Sequence, residues 1–248
     1  MIIDFHTHYG QGLSKTGFDL NFLLSEIKKG VMDKAVIFAI KDKEGVVDYR
    51  QHNKEIAEMC KGRPLIGFMR INCLNSLPNI DRNLKEGLEF GLRGIKLHPR
   101  DDGWDASAFK RICEFAEQKR LPILLHTESA YSGLANIDEL VKHLRGFPNN
   151  CFVLAHARVS ETVAKEIARN RSIYIDTSLY THVLDIKRLL REDEEAYKQL
   201  LFASDYPFGL PSYEKQKLVE IFSYLGMSKH LPDVLGGNAQ KLLGLKTW

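Results

Sequence analysis

Eight short apolar runs alternate with eight amphipathic stretches along 248 residues, and residues able to do chemistry close most of those runs. The alternation predicts an α/β fold, a (β/α)8 or TIM barrel, built as one domain over residues 1–248. Barrels of this kind routinely occupy about 250 residues as a single unit. A doubly wound open sheet would alternate in the same way. No Gly-x-Gly-x-x-Gly follows any run, however, which removes its nucleotide-binding form.

Taken in order, the first strand covers residues 2–7. There Asp4, His6 and His8 occupy alternate positions, so a regular strand would point all three to one face. Two imidazoles at a strand end can grip one metal ion, with Asp4 beneath them to orient a ring. A helix is expected over 19–30, ended by Gly30. The near-continuous apolar run 34–40 suits a parallel strand buried on both faces. Helix 48–61, strand 65–70 and helix 79–90 follow. Strand 94–98, stopped by Pro99, leads to helix 106–119. Strand 122–126 leads to helix 136–145, and strand 152–156 to helix 160–170. Strand 172–177 precedes a charged helical stretch at 183–198, and strand 201–205 precedes helix 212–225. Gly236, Gly237 and Asn238 read as a turn and helix start, with Asn238 as N-cap.

Composition narrows the function classes. The chain is 44% apolar and 27% charged with a net charge of +3, ordinary for a soluble protein with a large core. No Lys/Arg block or aromatic-basic interleaving supports nucleic-acid binding, and no stretch reads as a leader or membrane span. Cys60, Cys73, Cys113 and Cys151 are far apart without a Cys-x-x-Cys pair, which excludes a zinc ribbon and fits reduced thiols in the cytoplasm.

The informative residues sit at the C-terminal ends of strands, where such barrels build active sites. His6 and His8 close the first strand, Lys96 and His98 the fourth, His126 the fifth, His156 the sixth and Asp205 the eighth. His52, His143 and His230 fall instead on helices and loops. Burying such polar groups unpaired is costly, and a metal ion would satisfy them. Three nitrogens and one carboxylate oxygen with a position open to water describe a catalytic zinc-type site.

Asp4-Phe5-His6-Thr7-His8, Gly94-Ile95-Lys96-Leu97-His98-Pro99, Leu125-His126, Ala155-His156-Ala157 and Ala203-Ser204-Asp205-Tyr206-Pro207 stand in an order that resembles the amidohydrolase superfamily. The tail Leu235–Leu245 is similar too, so the resemblance spans essentially the whole chain. It looks closest to the amidohydrolase-related branch that includes aminocarboxymuconate-semialdehyde decarboxylase and aromatic-acid decarboxylases beside hydrolases. The resemblance implies a metal-dependent barrel in which His6, His8, His126 and Asp205 hold one divalent ion. Zinc is the first expectation, with manganese, iron and cobalt compatible with the same donors. His156 would be the acid–base imidazole, and Asp205 would also take a proton from the water activated by the metal. In other branches a carboxylated lysine bridges two metals, so Lys96 and His156 are the second-metal ligands if the site is binuclear. Otherwise Lys96 is a cation facing substrate.

Arg70, Arg100 and Arg158 follow strands three, four and six, and with Lys96 and His98 they are the expected substrate-binding groups. Trp104 is open to a role as an apolar wall or as core packing. Tyr9, Gln11, Thr177 and Ser178 are strand-end positions within reach of a ligand. His182, Asp185 and residues 191–195 read as a solvated helix and its approach. Hydrolysis of an amide, ester or lactone in a small, anionic molecule is the function expected first. Non-oxidative decarboxylation is the alternative, although decarboxylases of this branch are usually longer. A barrel that binds metal or ligand without turnover is the non-enzymatic reading. The relatives that the resemblance brings in often pair, which implies a homodimer.

Overall fold

The structure is a computed structural model that describes residues 1–10, 17–41, 48–127, 136–179 and 181–245. Its elements run β1 (Ile3–Tyr9), α1 (Leu20–Lys28), β2 (Lys34–Ala39), α2 (Arg50–Cys60), β3 (Leu65–Gly67), β4 (Met69–Arg70), α3 (Leu77–Glu89) and β5 (Ile95–Leu97). They continue with α4 (Pro99–Asp102), α5 (Ala106–Lys119), β6 (Ile123–His126), α6 (Ile137–Leu144), β7 (Phe152–Ala155) and α7 (Glu161–Arg169). The last are β8 (Ile173–Asp176), α8 (Val183–Glu192), β9 (Leu200–Leu201), α9 (Pro211–Tyr224) and α10 (Asn238–Leu242). Helix starts are set by side chains that accept otherwise orphaned backbone N–H groups. Asp19, Asp105, Asn136 and Ser160 do this for α1, α5, α6 and α7, each cap stabilising by about 1 kcal/mol.

All strand pairings are parallel, in the orders β1-β2-β3 and β4-β5-β6-β7-β8-β9. The expected single strand 65–70 is two strands because it changes partner at Phe68. Phe68 N donates to Ile37 O and Met69 N to Gly94 O, both at 2.9 Å. Gly94 permits this, since a Cβ there would lie 2.4 Å from the Phe68 ring. At the other seam, Phe5 N donates to Phe202 O, Asp205 N to His6 O and His8 N to Tyr206 O, at 2.9, 2.8 and 2.7 Å. A parallel bridge joins Thr7 to Tyr206. The segment after β9 therefore lies beside β1, and the fold is a (β/α)8 barrel.

Two apolar layers follow from strand alternation. Phe5, Phe38, Phe68, Leu124, Val153 and Leu201 belong to the inner layer, where Phe5 and Phe68 meet edge to face at 5.6 Å. Ile37, Met69, Ile95, Leu125 and Ile175 belong to the outer layer with Leu84, Phe109, Ile167 and Leu218 from the helices. The alternation breaks in β1. Asp4 pairs with Ala35 and Thr7 with Ile37, so β1 carries one extra residue across this interval. Phe5 and His6 both reach the interior as a result, His6 lying 5.0 Å from Phe38 between ring centroids. Asp4 does not orient an imidazole as expected. Its Oδ1 accepts His6 N and Ser204 N, tying β1 to the segment after β9.

Other expectations are corrected nearby. The helical stretch 183–198 ends at Glu192, where Asp193 is extended and accepts Glu195 N, and a 3₁₀ turn covers Ala196–Gln199. The strand before Pro99 ends as expected, and Pro99 itself opens the short α4, where its missing N–H is harmless. Asp185 is buried, not solvated, and accepts Val159 N and His182 N. Asn238 is not an N-cap. Its side-chain amide donates to Tyr197 O and Leu200 O, and it follows a π-helical turn over Asp233–Gly237. Gly236 belongs to that turn because a Cβ would stand 2.0 Å from Met1 O. The four cysteines are free. Among the described residues no helix is long and apolar enough to cross a membrane.

Candidate metal centre

The C-terminal strand ends open into a cavity of about 750 Å³, lined among others by His8, Arg70, His98, Arg100, His126, His156, Arg158 and Asp205. The bulge in β1 delivers His6 and His8 side by side, their Nε2 atoms 3.1 Å apart. Asp205 Oδ1 lies 3.0 Å from His6 Nε2 and 2.8 Å from His8 Nε2. These three atoms form a compact group able to hold a metal ion. A second group joins His6, His156 and Asp176.

Asp176, from the end of β8, was not singled out by the motif reading. It closes the run Ile173–Asp176 as Asp205 follows β9, so a strand-end acid was the available signal. Its Oδ2 lies 2.7 Å from His6 Nδ1, and a carboxylate can only accept, so the His6 proton is on Nδ1. The Nε2 of neutral His6 then turns a lone pair toward a carboxylate oxygen 3.0 Å away. That arrangement is stable only with positive charge at the point of convergence, either a proton or a metal ion. The residues present therefore fit a divalent cation.

Electrostatics agree. Burial pulls the His6 imidazole down and Lys96 adds to this, yet Asp205 and Asp176 outweigh both and raise its pKa. Burial holds His8 down to about 3 and His156 to about 4, in each case against Asp205. His98 and His126 are lowered by burial and by neighbouring cations. Asp205 stays ionised because the imidazoles around it outweigh its burial. Asp4, buried beside them, is pushed up to about 7 by desolvation.

The backbone is held out of its relaxed range at two of these positions. His156 has φ 55° and Asp205 φ 60°, a left-handed conformation that costs an L-residue about 1–2 kcal/mol and clusters at functional sites. His156 Nε2 stands 3.8 Å from Asp205 Oδ2, and its Nδ1 is 2.8 Å from Ser178 Oγ. His126 lies farther out, in neither compact group. Its ring stacks on His98 at 3.7 Å and lies 5.2 Å from His156.

Lys96 is fully buried, with no hydrogen-bond partner for Nζ among the described residues, 4.9 Å from the Phe38 ring centroid. Burial pushes its ammonium down to about 7 against the pull of Asp176 and Asp205. Arg70 is enclosed. Its Nε donates to Asp102 at 2.8 Å, its Nη1 to Ala39 O at 3.2 Å, and its guanidinium lies 4.6 Å from the Tyr49 ring. Arg100 Nε reaches Asp101 at 3.1 Å, and His98 Nε2 lies 3.3 Å from the same carboxylate. Glu214 of α9, absent from the motif reading, also lines the cavity.

Some expected contacts lie elsewhere. Trp104 packs on Phe109 at 4.3 Å, as core. Tyr9 donates to Glu55 and Thr177 to Leu201 O, and neither is among the cavity's lining residues. Phe208 meets His8 edge to face at 5.6 Å at the mouth. Gln11 falls outside the described residues.

The barrel and its buried histidine–carboxylate centre define the class, and comparison with known proteins agrees. A family model described as amidohydrolase matches residues 3–245. The chain belongs to the amidohydrolase family. Solved structures share the fold at low identity. Dihydroorotase from Saccharomyces cerevisiae, in complex with 5-fluoroorotic acid, is 15% identical with a TM-score of 0.70, covering 99% of this chain and 84% of that one. Dihydroorotase from Campylobacter jejuni is 17% identical with a TM-score of 0.65 and the same coverage. Amidohydrolase 2 from Bifidobacterium longum subsp. infantis is 15% identical with a TM-score of 0.69, covering 99% of both chains. No curated protein sequence matches the chain.

Proposed function

We propose that the protein is a metal-dependent hydrolase that opens an amide, ester or lactone bond in a small, anionic molecule. The observation that carries this reading is the convergence of His6 Nε2, His8 Nε2 and Asp205 Oδ1 within 3.1 Å of one another while the His6 proton is committed to Asp176. His6, His8 and Asp205 are the core of the ligand set, with His126 the added nitrogen, for one divalent ion, zinc first. When bound, such an ion polarises a carbonyl and makes a water nucleophilic near neutral pH.

The chain's own residues do the rest. Asp205 is placed to receive a proton through Oδ2 while Oδ1 faces the histidines. His156, with Nε2 3.8 Å from Asp205 Oδ2, takes that proton on Nε2 and hands it to the leaving group. Arg70, Arg100 and Arg158 all bring positive charge to the lining and carry the preference for an anionic group, Arg70 held in place by Asp102 and Asp101 and Arg100 by Asp101. Lys96 is a second cation behind the site. The mononuclear reading takes Lys96 as an unmodified ammonium.

Metal content per chain, compared between wild type and Lys96→Ala, tests the reading. One equivalent in both is the expected result. Two equivalents falling in the variant would make the site binuclear, with Lys96 and His156 as ligands. No metal in either after reconstitution with zinc would end the proposal. Product analysis on lactones and amides, with carbon dioxide measured in parallel on aromatic acids, separates hydrolysis from decarboxylation.

A further inference from the structure

Asp176 is the centre of a hydrogen-bond chain that reaches two imidazoles. Its Oδ2 accepts His6 Nδ1–H at 2.7 Å. Its Oδ1 accepts His156 N at 3.1 Å, Ser178 N at 3.2 Å and the Ser178 hydroxyl at 2.6 Å. Three donors converge on one oxygen, so Oδ1 is an acceptor and the single hydroxyl proton of Ser178 points to it. Ser178 Oγ, 2.8 Å from His156 Nδ1, can then only accept from that ring. The direction of every bond is set, and the His156 proton belongs on Nδ1. Every member of the chain is buried.

The hydroxyl is itself fixed from the following residue. Leu179 adopts φ 47°. Its carbonyl accepts Lys217 Nζ at 3.1 Å, and its backbone hydrogen-bonds the Glu214 carboxylate, which also pairs with Lys217. Two residues of α9 therefore pin the turn after β8, one residue beyond Ser178.

We propose that Ser178 is a positioning residue that sets the tautomer of His156, keeping its proton on Nδ1 and its lone pair on Nε2, toward Asp205 and the cavity. Asp176 is the common anchor, so one carboxylate aligns the metal-facing nitrogen of His6 and the proton-accepting nitrogen of His156. The pair Glu214–Lys217 holds the hydroxyl in place. This deepens the hydrolase reading, on which its use to the reaction rests, but the tautomer exists with or without the metal and is measured separately from it.

The test is nitrogen NMR on the full chain labelled with ¹⁵N-histidine, metal-free and zinc-loaded, with His156 assigned by the signals lost in His156→Asn. The expected result is an Nδ1–H tautomer for His156 in wild type and Ser178→Thr, and a shift to the Nε2–H form that free histidine favours in Ser178→Ala. An Nε2–H tautomer in wild type overturns the proposal without any variant having to fold. An unchanged tautomer in folded Ser178→Ala overturns the role of Ser178. Zinc moving His156 Nε2 to a ligated shift would keep the Nδ1–H tautomer but make His156 a ligand, which counts against its acid–base role in the hydrolase reading. Failure of zinc to bind at all, with the tautomers as expected, counts against the hydrolase reading and leaves the hydrogen-bond chain standing.

Discussion

On the β4–α4 side of the cavity, Arg70, Asp101, Asp102 and Tyr49 answer one another's charges. Arg70 Nε meets Asp102 at 2.8 Å, and Tyr49 donates to the other oxygen of Asp102 at 2.7 Å. On the β1–β8–β9 side, His6, His8 and Asp205 turn electron-rich atoms toward one point. Both sides are buried and both are rich in ionisable groups. One is a completed network that holds a wall in place, and the other is arranged to hold a cation. Burial and charge alone do not mark a site. Unanswered charge does.

The difference can be broken from either side. The largest effect is expected from Asp205→Asn, which should abolish stoichiometric zinc binding in calorimetry while leaving the metal-free melting temperature unchanged or higher. Retained zinc would remove Asp205 from the ligand set. Arg70→Met should do the reverse. It leaves Asp102 buried without its cation, a loss of about 3–5 kcal/mol in denaturant unfolding, with metal content unchanged. A fall in metal content with little loss of stability would mean that Arg70 belongs to the site and not the wall.

Asp176→Ala sits between these cases, because it removes the acceptor that orients His6 without touching the point of convergence. Zinc affinity measured against a chelating dye should drop by about 10–100-fold; no change would refute the orienting role. The smallest effect belongs to exposed Arg145 and the buried Glu166 carboxylate it covers at 2.7 Å, far from the mouth. The hydrogen bond from Arg145 holds the Glu166 carboxyl below its ordinary 4.5. Its contribution is therefore present above that pH and disappears as pH falls through the lowered value. The melting-temperature gap between wild type and Arg145→Ala should close on acidification below about 4.5, and a gap that widened would reverse the sign.

What the sequence made legible follows the same division. His6, His8, His126, His156 and Asp205 each follow an apolar strand run, and the eightfold alternation places such residues at one end of a barrel. Asp176 carried the same strand-end signature but lies in none of the motifs that carry the family resemblance. Three kinds of feature were not legible. The bulge in β1 depends on the register against β2, which alternation assumes to be regular. The pairing of Arg70 depends on Asp101 and Asp102, supplied by a one-turn helix after Pro99. Glu214 reaches the cavity from α9, where helical periodicity gives no hint of what lies at the mouth.

The left-handed backbone at His156 and Asp205 has a consequence for how this chain can diverge. Gly, Asn, Asp and His enter that conformation most readily, so Asn or Gly at either position deletes an acid–base group with little disturbance to the fold. A descendant freed from selection for turnover would drift toward Asn or Gly at 156 and 205 with its barrel intact. β-branched residues enter it least, so Val, Ile or Thr at either position would cost the fold as well as the site.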